Sequence, residues 1–441
     1  MTSKGLFLFH TARWLLLFLV LVVAPLFLAL IGHTEEYRGF WVEFGVGLGF
    51  VGLAMMGLQF LLTARYSGIG DPFGIDELLQ FHGMAGYFGW GFIMLHFIVL
   101  FLADSQFLEF LDPRVNFLRA LALSSVIVAV TALIATTHWR EKFKIVYEWW
   151  RLSHGLLGLF VVFVGTVHIM QVSFYVSELW QQVVWSGMTL GVISLLLHNR
   201  VWRPLQMKKR PWRVKDVKME VDETWSLELE PVGHGGIEFK GGQFVWITLG
   251  ETPFSLQQHP FTISSSPEQK NIRLTIKELG DFTSKIPEVQ SGSTAFVEGP
   301  YGNFTLEVST SEHNVFIVGG IGITPTMSIL EAMRDRGDQR KVTVFFGAPK
   351  LELVPFLDEL RALEAELNMK LVIVLEEAPD DWKGETGFIT GDILKSHLPV
   401  DVTTFEYFIC GPPPMMDVAE STLREWEVPV HKVHSERFNI V

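Results

Sequence analysis

The apolar residues of this chain gather in six long uncharged runs, all in its first half. They cover residues 14–31, 44–63, 78–103, 120–137, 152–177 and 179–197. Each approaches or exceeds the ~18 residues that a membrane-spanning helix needs. The first is longer than the ~7–15-residue apolar core of a signal peptide, and no A-x-A site follows closely, so it reads as a span. From about residue 208 the pattern changes. Short β-rich runs at 244–249, 272–276 and 294–298, separated by turns containing Gly and Pro, predict an antiparallel barrel or sandwich. From about residue 314, strands (315–318, 342–346, 371–375, 407–409) alternate with helices (325–336, 355–367, 414–426), the signature of a doubly wound parallel sheet. The expected order is a six-helix transmembrane bundle (1–207), an antiparallel β-barrel domain (208–310) and a doubly wound α/β domain (311–441).

Charge orients the spans. Lys4, Arg13, Arg65, Arg140, Lys142, Lys144 and the group Arg200, Arg203, Lys208, Lys209 and Arg210 fall on one side. The opposite connections hold only Arg38 and Arg114, among Glu35, Glu36, Asp104, Glu109 and Asp112. The positive-inside bias then puts both termini in the cytoplasm and the protein in the cell (inner) membrane. A net charge of −13 argues against nucleic-acid binding. The single cysteine, Cys410, excludes an intramolecular disulfide and any cysteine-ligated cluster.

Four histidines lie inside the spans as two equally spaced pairs, His82 with His96 and His154 with His168, each 14 apart (96 − 82 and 168 − 154). Fourteen helical steps climb about 21 Å and return to within roughly 40° of the same face. Histidine is costly in lipid, so a buried pair reads as a functional site. Two such helices could stack two haems across a bilayer, with His82 and His154 at the inner level. His10, His33, His138 and His198 sit at span ends, where interfacial solvation accounts for them. Trp149, Trp150 and Trp180 fit an aromatic belt.

The second half carries its own motifs. The strand at 315–318 runs into Gly319-Gly320-Ile321-Gly322-Ile323-Thr324-Pro325 and a helix, an arrangement suited to a phosphate at a helix N-terminus. His259-Pro260-Phe261-Thr262-Ile263-Ser264 reads either as a hydroxyl-rich turn or as a flavin-binding segment. Gly280-Asp281-Phe282-Thr283 could complete a pyrophosphate site, and Gly299-Pro300-Tyr301-Gly302 reads as a turn leaving the barrel.

Six spans, paired histidines in the third and fifth, and the segments HPFTIS, GDFT, GPYGNF, GGIGITP and CGPPPM in that order resemble the ferric reductase and NADPH oxidase superfamily. The second half is similar to ferredoxin–NADP reductase modules, and the likeness covers nearly the whole chain. It implies an NAD(P)H oxidase or ferric-chelate reductase type of flavocytochrome b, with FAD, two b-type haems, and NADPH or NADH. By that resemblance, His82 with His154 would ligate the inner haem and His96 with His168 the outer. His259, Pro260, Phe261, Thr262 and Ser264 would hold the flavin, with Thr262 near its ring, and Gly280 and Thr283 would meet the pyrophosphate. Gly319, Gly320, Gly322, Thr324 and Pro325 would form the NAD(P) phosphate turn. Cys410, Gly411 and Pro412 would lie by the nicotinamide, and Phe438 over the flavin, although Asn439, Ile440 and Val441 extend past it. Phe160 matches an aromatic that some relatives place between the haems.

Lys350, after the second strand of the α/β domain, favours the 2′-phosphate of NADPH, with Glu352 pulling the other way. The acceptor outside would be O2, giving superoxide, a ferric chelate, or a periplasmic redox protein. Several eukaryotic oxidases carry a further histidine one turn past the outer ligand, where this chain has Leu100. A reading of another class is a six-helix transporter with a regulatory nucleotide-binding tail.

Overall fold

The structure, a computed structural model, describes residues 3–31, 36–66 and 74–437. The chain divides into two compact units, Met1–Pro72 with Glu77–Trp202, and Phe73–Asp76 with Arg203–Val441.

The first unit holds six long helices: α1 (Ser3–Leu30), α2 (Phe40–Leu62), α3 (Gly74–Ala103), α4 (Phe117–His138), α5 (Tyr147–Val172) and α6 (Leu179–Leu197). All six are long and apolar enough to cross a membrane. They keep large side chains on the outside, such as Leu16, Phe27, Leu121 and Leu190, as lipid-facing helices do because lipid offers apolar residues no penalty. The interior is lined where α2, α4, α5 and α6 meet, by Met56, Val130, Leu133, Val161, Val162 and Val192. The Thr166 and Thr189 hydroxyls lie 2.8 Å apart there; one donates to the other, which donates in turn to a carbonyl of its own helix, Val162 or Trp185. A 3-10 helix, Ser105–Leu111, joins α3 to α4 and is capped by Asp104, which accepts from the Gln106 amide.

The second unit begins with the short helix α7 (Arg203–Lys208). Six antiparallel strands follow: β1 (Trp212–Val221), β2 (Thr224–Pro231), β3 (Phe244–Leu249), β4 (His259–Thr262), β5 (Ile272–Lys277) and β6 (Thr294–Tyr301). Their order is β4-β3-β6-β1-β2-β5, and a bridge between Ile263 and Leu274 joins the two ends into a barrel. Val214, Leu227, Leu229, Val245, Ile247 and Leu274 fill it.

A parallel sheet completes the unit: β7 (His313–Gly319), β8 (Lys341–Ala348), β9 (Met369–Leu375), β10 (Glu385–Thr386), β11 (Glu406–Cys410) and β12 (Val433–Glu436), in the order β10-β9-β8-β7-β11-β12. Helices α8 (Ile323–Arg336) and α9 (Leu357–Glu366) cover one face, and α10 (Gly391–His397) and α11 (Pro413–Glu425) the other. Both faces are therefore dry, which is why these strands read as continuous apolar runs.

Arg273 on β5 ties barrel to sheet. It meets Glu331 of α8 at 2.8 Å and Glu359 of α9 at 3.0 Å. Glu331 also accepts from the Ser266 amide at 2.8 Å, and Ser328 donates to the Ser265 carbonyl at 2.7 Å. Burial pushes the Glu331 carboxyl above its usual range, against the pull of Arg273.

Candidate functional site

In the first unit, His82 of α3 and His154 of α5 face each other with ring centroids 6.1 Å apart. At this separation the two imidazoles would be near enough to hold one metal ion between them, each through a nitrogen at about 2.0–2.1 Å. The surroundings also select the nitrogen. Thr137 donates its hydroxyl to the Leu133 carbonyl at 2.7 Å, so its oxygen is left to accept from His154 Nδ1 at 3.4 Å. His96 Nδ1 lies 2.8 Å from the Gly45 carbonyl and must be its donor. In both residues Nε2 then keeps its lone pair free, the form in which an imidazole binds a metal.

At the other level, His96 lies on α3 and His168 on α5, each fourteen residues along its helix from His82 and His154. Phe110 of the 3-10 helix packs edge-on to His168 at 6.1 Å, and Arg119 of α4 covers Phe110 at 4.3 Å. Phe160 lies on α5 between the heights of His154 and His168 and is 37% exposed. Leu100 is buried against Gly45. Among the described residues no three His, Cys, Asp or Glu side chains are grouped so as to hold a metal ion.

In the second unit, His259–Thr262 is neither a turn nor a loop but the edge strand β4, with Thr262 opposite Phe244. Pro260 is tolerated there because an edge strand has one side that needs no ladder donor. His259 stacks on Phe282 at 4.2 Å, which brings the GDFT segment against β4. Thr283 caps its own turn, accepting from the Leu279 and Gly280 amides at 2.8 and 2.9 Å. Ser264 is fully buried, bonded to Thr275 and the Arg273 carbonyl, so its hydroxyl holds the barrel.

The glycine turn after β7 and the Cys410-Gly411-Pro412 turn after β11 leave neighbouring parallel strands, Val318 opposite Cys410. The chain turns to opposite sides of the sheet at these two strands, and open α/β sheets bind ligands at such a crevice. The approach is tight. A Cβ on Gly322 would fall 2.3 Å from the Cys410 carbonyl oxygen, and one on Gly411 would fall 2.9 Å from the Gly319 amide. Gly320 adopts φ +55, and Gly322 precedes α8, where Thr324 bonds the Ile321 carbonyl and Pro325 sits in the first turn. Lys350 is paired with Glu377 at 3.3 Å on the surface. The end of β12 reaches the barrel, where Glu436 lies beside Gly302 and Phe244. Phe438 lies outside the described residues.

Sequence reasoning did not single out Thr137, Gly45, Phe110 or the Arg273–Glu331 tie. Each acts through a partner distant in the chain, and none lies in a motif.

Comparison with known proteins gives three family matches: a ferric reductase-like transmembrane component over residues 48–166, an FAD-binding domain over 211–306 and an oxidoreductase NAD-binding domain over 316–421. The chain is 31% identical over 210 residues to the reductase component of phenol 2-monooxygenase from Pseudomonas sp. (strain CF600), covering 45% of this chain and 58% of that protein. It is 29% identical over 242 residues to a flavohemoprotein of Deinococcus radiodurans, covering 52% and 59%. It thus spans little more than half the length of these curated relatives. A solved flavohemoglobin from Malassezia yamatoensis aligns with 90% of this chain and 98% of its own at 19% identity and a TM-score of 0.49. A ferric reductase-like membrane component followed by FAD- and NAD-binding domains is the domain architecture of the ferric reductase and NADPH oxidase superfamily.

Proposed function

We propose that this chain takes electrons from cytoplasmic NAD(P)H and delivers them across the cell membrane to an acceptor outside: O2, a ferric chelate or a periplasmic redox protein. The observation that carries the reading is the His82–His154 pair at 6.1 Å, with His96 and His168 each fourteen residues further along the same two helices. FAD would accept a hydride and release its electrons singly, and two b-type haems would each carry one at a time.

The chain's own residues do the rest. Thr137 and the Gly45 carbonyl bond Nδ1 of His154 and His96, and this would leave Nε2 of both rings free to hold a haem iron. The Gly319–Gly322 turn would offer backbone N–H groups to a dinucleotide phosphate, and the Cys410 turn, which leaves the neighbouring strand, would wall the nicotinamide side. Thr262 of β4 would lie by the flavin ring. Lys350 would favour NADPH after leaving Glu377, an exposed pair worth only about 0–1 kcal/mol. A membrane negative inside favours outward electron flow by roughly 2.3 kcal/mol per 100 mV.

The test is a reduced-minus-oxidised spectrum of the purified protein, with NAD(P)H oxidation followed with O2, ferric citrate, or cytochrome c with and without superoxide dismutase. A b-type spectrum and acceptor-dependent turnover are expected. A purified, flavin-loaded protein without a b-type signal sinks the proposal. His168→Ala should remove one haem component and leave flavin reduction by NAD(P)H intact.

A further inference from the structure

Helices α2 and α3 meet in rungs. The Gly45 carbonyl of α2 accepts from His96 Nδ1 of α3 at 2.8 Å. Gly52 and Gly89 face each other, since a Cβ on Gly52 would lie 3.4 Å from the Gly89 oxygen and one on Gly89 3.9 Å from the Gly52 oxygen. Gln59 of α2 and His82 of α3 fall at the next positions of the same seven-residue series. Gly45, Gly52 and Gln59 are seven apart (52 − 45 and 59 − 52), and so are His82, Gly89 and His96 (89 − 82 and 96 − 89). Seven residues make two helical turns with only about 20° of drift, so the rungs stay in line. The glycine pair in the middle rung lets the two backbones approach closely, as small residues do between membrane helices.

One turn from Gly45 stands Gly49. A Cβ there would lie 2.7 Å from His96 Nδ1 and 2.9 Å from its Cε1. That space is filled by the imidazole, so no larger residue fits beside it. The rung at the other end is different. His82 Nδ1 makes no hydrogen bond, and the Gln59 amide is buried with neither polar atom bonded.

We propose that α2 is the orienting helix of the outer ligand, with Gly45 and Gly49 as positioning residues that fix the tautomer and ring plane of His96. The inference rests on the haem reading given above. A neutral imidazole has one N–H, and the Gly45 carbonyl holds it on Nδ1, which leaves Nε2 for the metal. A carbonyl accepting from the far nitrogen also makes the ligand more basic, and loss of such a partner typically costs about 10–100-fold in metal affinity.

The experiment compares Gly49→Ala with Gly47→Ala in the full chain, by redox titration and low-temperature EPR of the haems. At Gly47 an added Cβ meets only a Leu26 methyl, at 4.0 Å. In Gly49→Ala one haem component should be lost or move to higher potential with altered g-values, while the other stays. Gly47→Ala should match wild type. Unchanged potentials and g-values in Gly49→Ala overturn the inference. If that variant fails to insert, Gly45→Ala applies the same test more mildly, because the atoms nearest its Cβ are Leu100 and Val99 side-chain carbons at 3.1–3.2 Å. A wild-type protein with no haem signal would instead overturn the haem reading beneath it.

Discussion

Gly322 has no room for even one methyl group. Its Cβ would sit 2.3 Å from the Cys410 carbonyl oxygen, a backbone atom that cannot rotate away. Relief to van der Waals distance requires the β7 and β11 turns to part by about 1 Å, and misplacements of that size cost on the order of 100-fold in rate. Gly322→Ala should therefore lower kcat/KM for NAD(P)H by about 100-fold, while dithionite still reduces the membrane chromophores. Stopped-flow flavin reduction measures it, and wild-type rates would refute the close-approach argument. The sequence located this glycine but suggested phosphate contact as its reason; the structure adds a backbone neighbour 88 residues away (410 − 322). Ser264, Thr283 and Thr324, all within sequence motifs, also bond their own fold, a structural role that the motifs alone did not suggest.

Strand β7 opens on a histidine whose environment makes the parallel sheet sensitive to acid. His313 is buried, bonds Thr343 of β8 through Nε2 at 3.0 Å and packs on Phe405 at 4.3 Å. Burial, assisted by nearby Lys341, lowers its pKa from 6.5 to about 4. Below pH 6.5 the unfolded chain takes up a proton that the folded chain refuses until about pH 4. Stability should thus fall as pH drops through that window, by at most ~1.4 kcal/mol per pH unit for one proton. Denaturant midpoints followed by flavin fluorescence at pH 7 and 5 should show the loss, and His313→Gln should flatten it. An unchanged slope in that variant assigns the acid sensitivity elsewhere. At this scale the doubly wound strands were legible because both their faces are buried and the apolar runs are unbroken. Strands β1 and β2 were not: β1 alternates buried Trp212 and Val214 with exposed charge, and its pairing with β2 shifts register at two places. β4 hid behind Pro260, a residue that signals a turn until the strand is known to be an edge. The spans were legible from length and apolarity. The rungs between α2 and α3 were written in the seven-residue spacing but meant nothing until the two helices were known to pair.

For the whole chain, sidedness decides whether the histidine pairs form an outward path. Arg65, Arg140, Lys142 and Lys144 lie in connections that the charge bias assigns to the cytoplasm, the side to which the chain after α6 also belongs. The α3–α4 connection on the opposite side carries Asp104, Glu109 and Asp112, with Arg114 paired to Asp112 at 2.7 Å. Since NAD(P)H does not cross a bilayer, the orientation predicts which vesicles turn over. Inverted membrane vesicles should oxidise added NAD(P)H at once, and right-side-out vesicles only after permeabilisation. An imposed potential, negative on the cytoplasmic side, should speed transfer to an impermeant ferric acceptor on the opposite face, because each charge crossing the full potential gains roughly 2.3 kcal/mol per 100 mV. Equal turnover by intact vesicles of both orientations would mean that the nucleotide site is not confined to one side. Turnover in right-side-out vesicles alone would invert the topology and make His96 and His168, rather than His82 and His154, the pair nearer the cytoplasm.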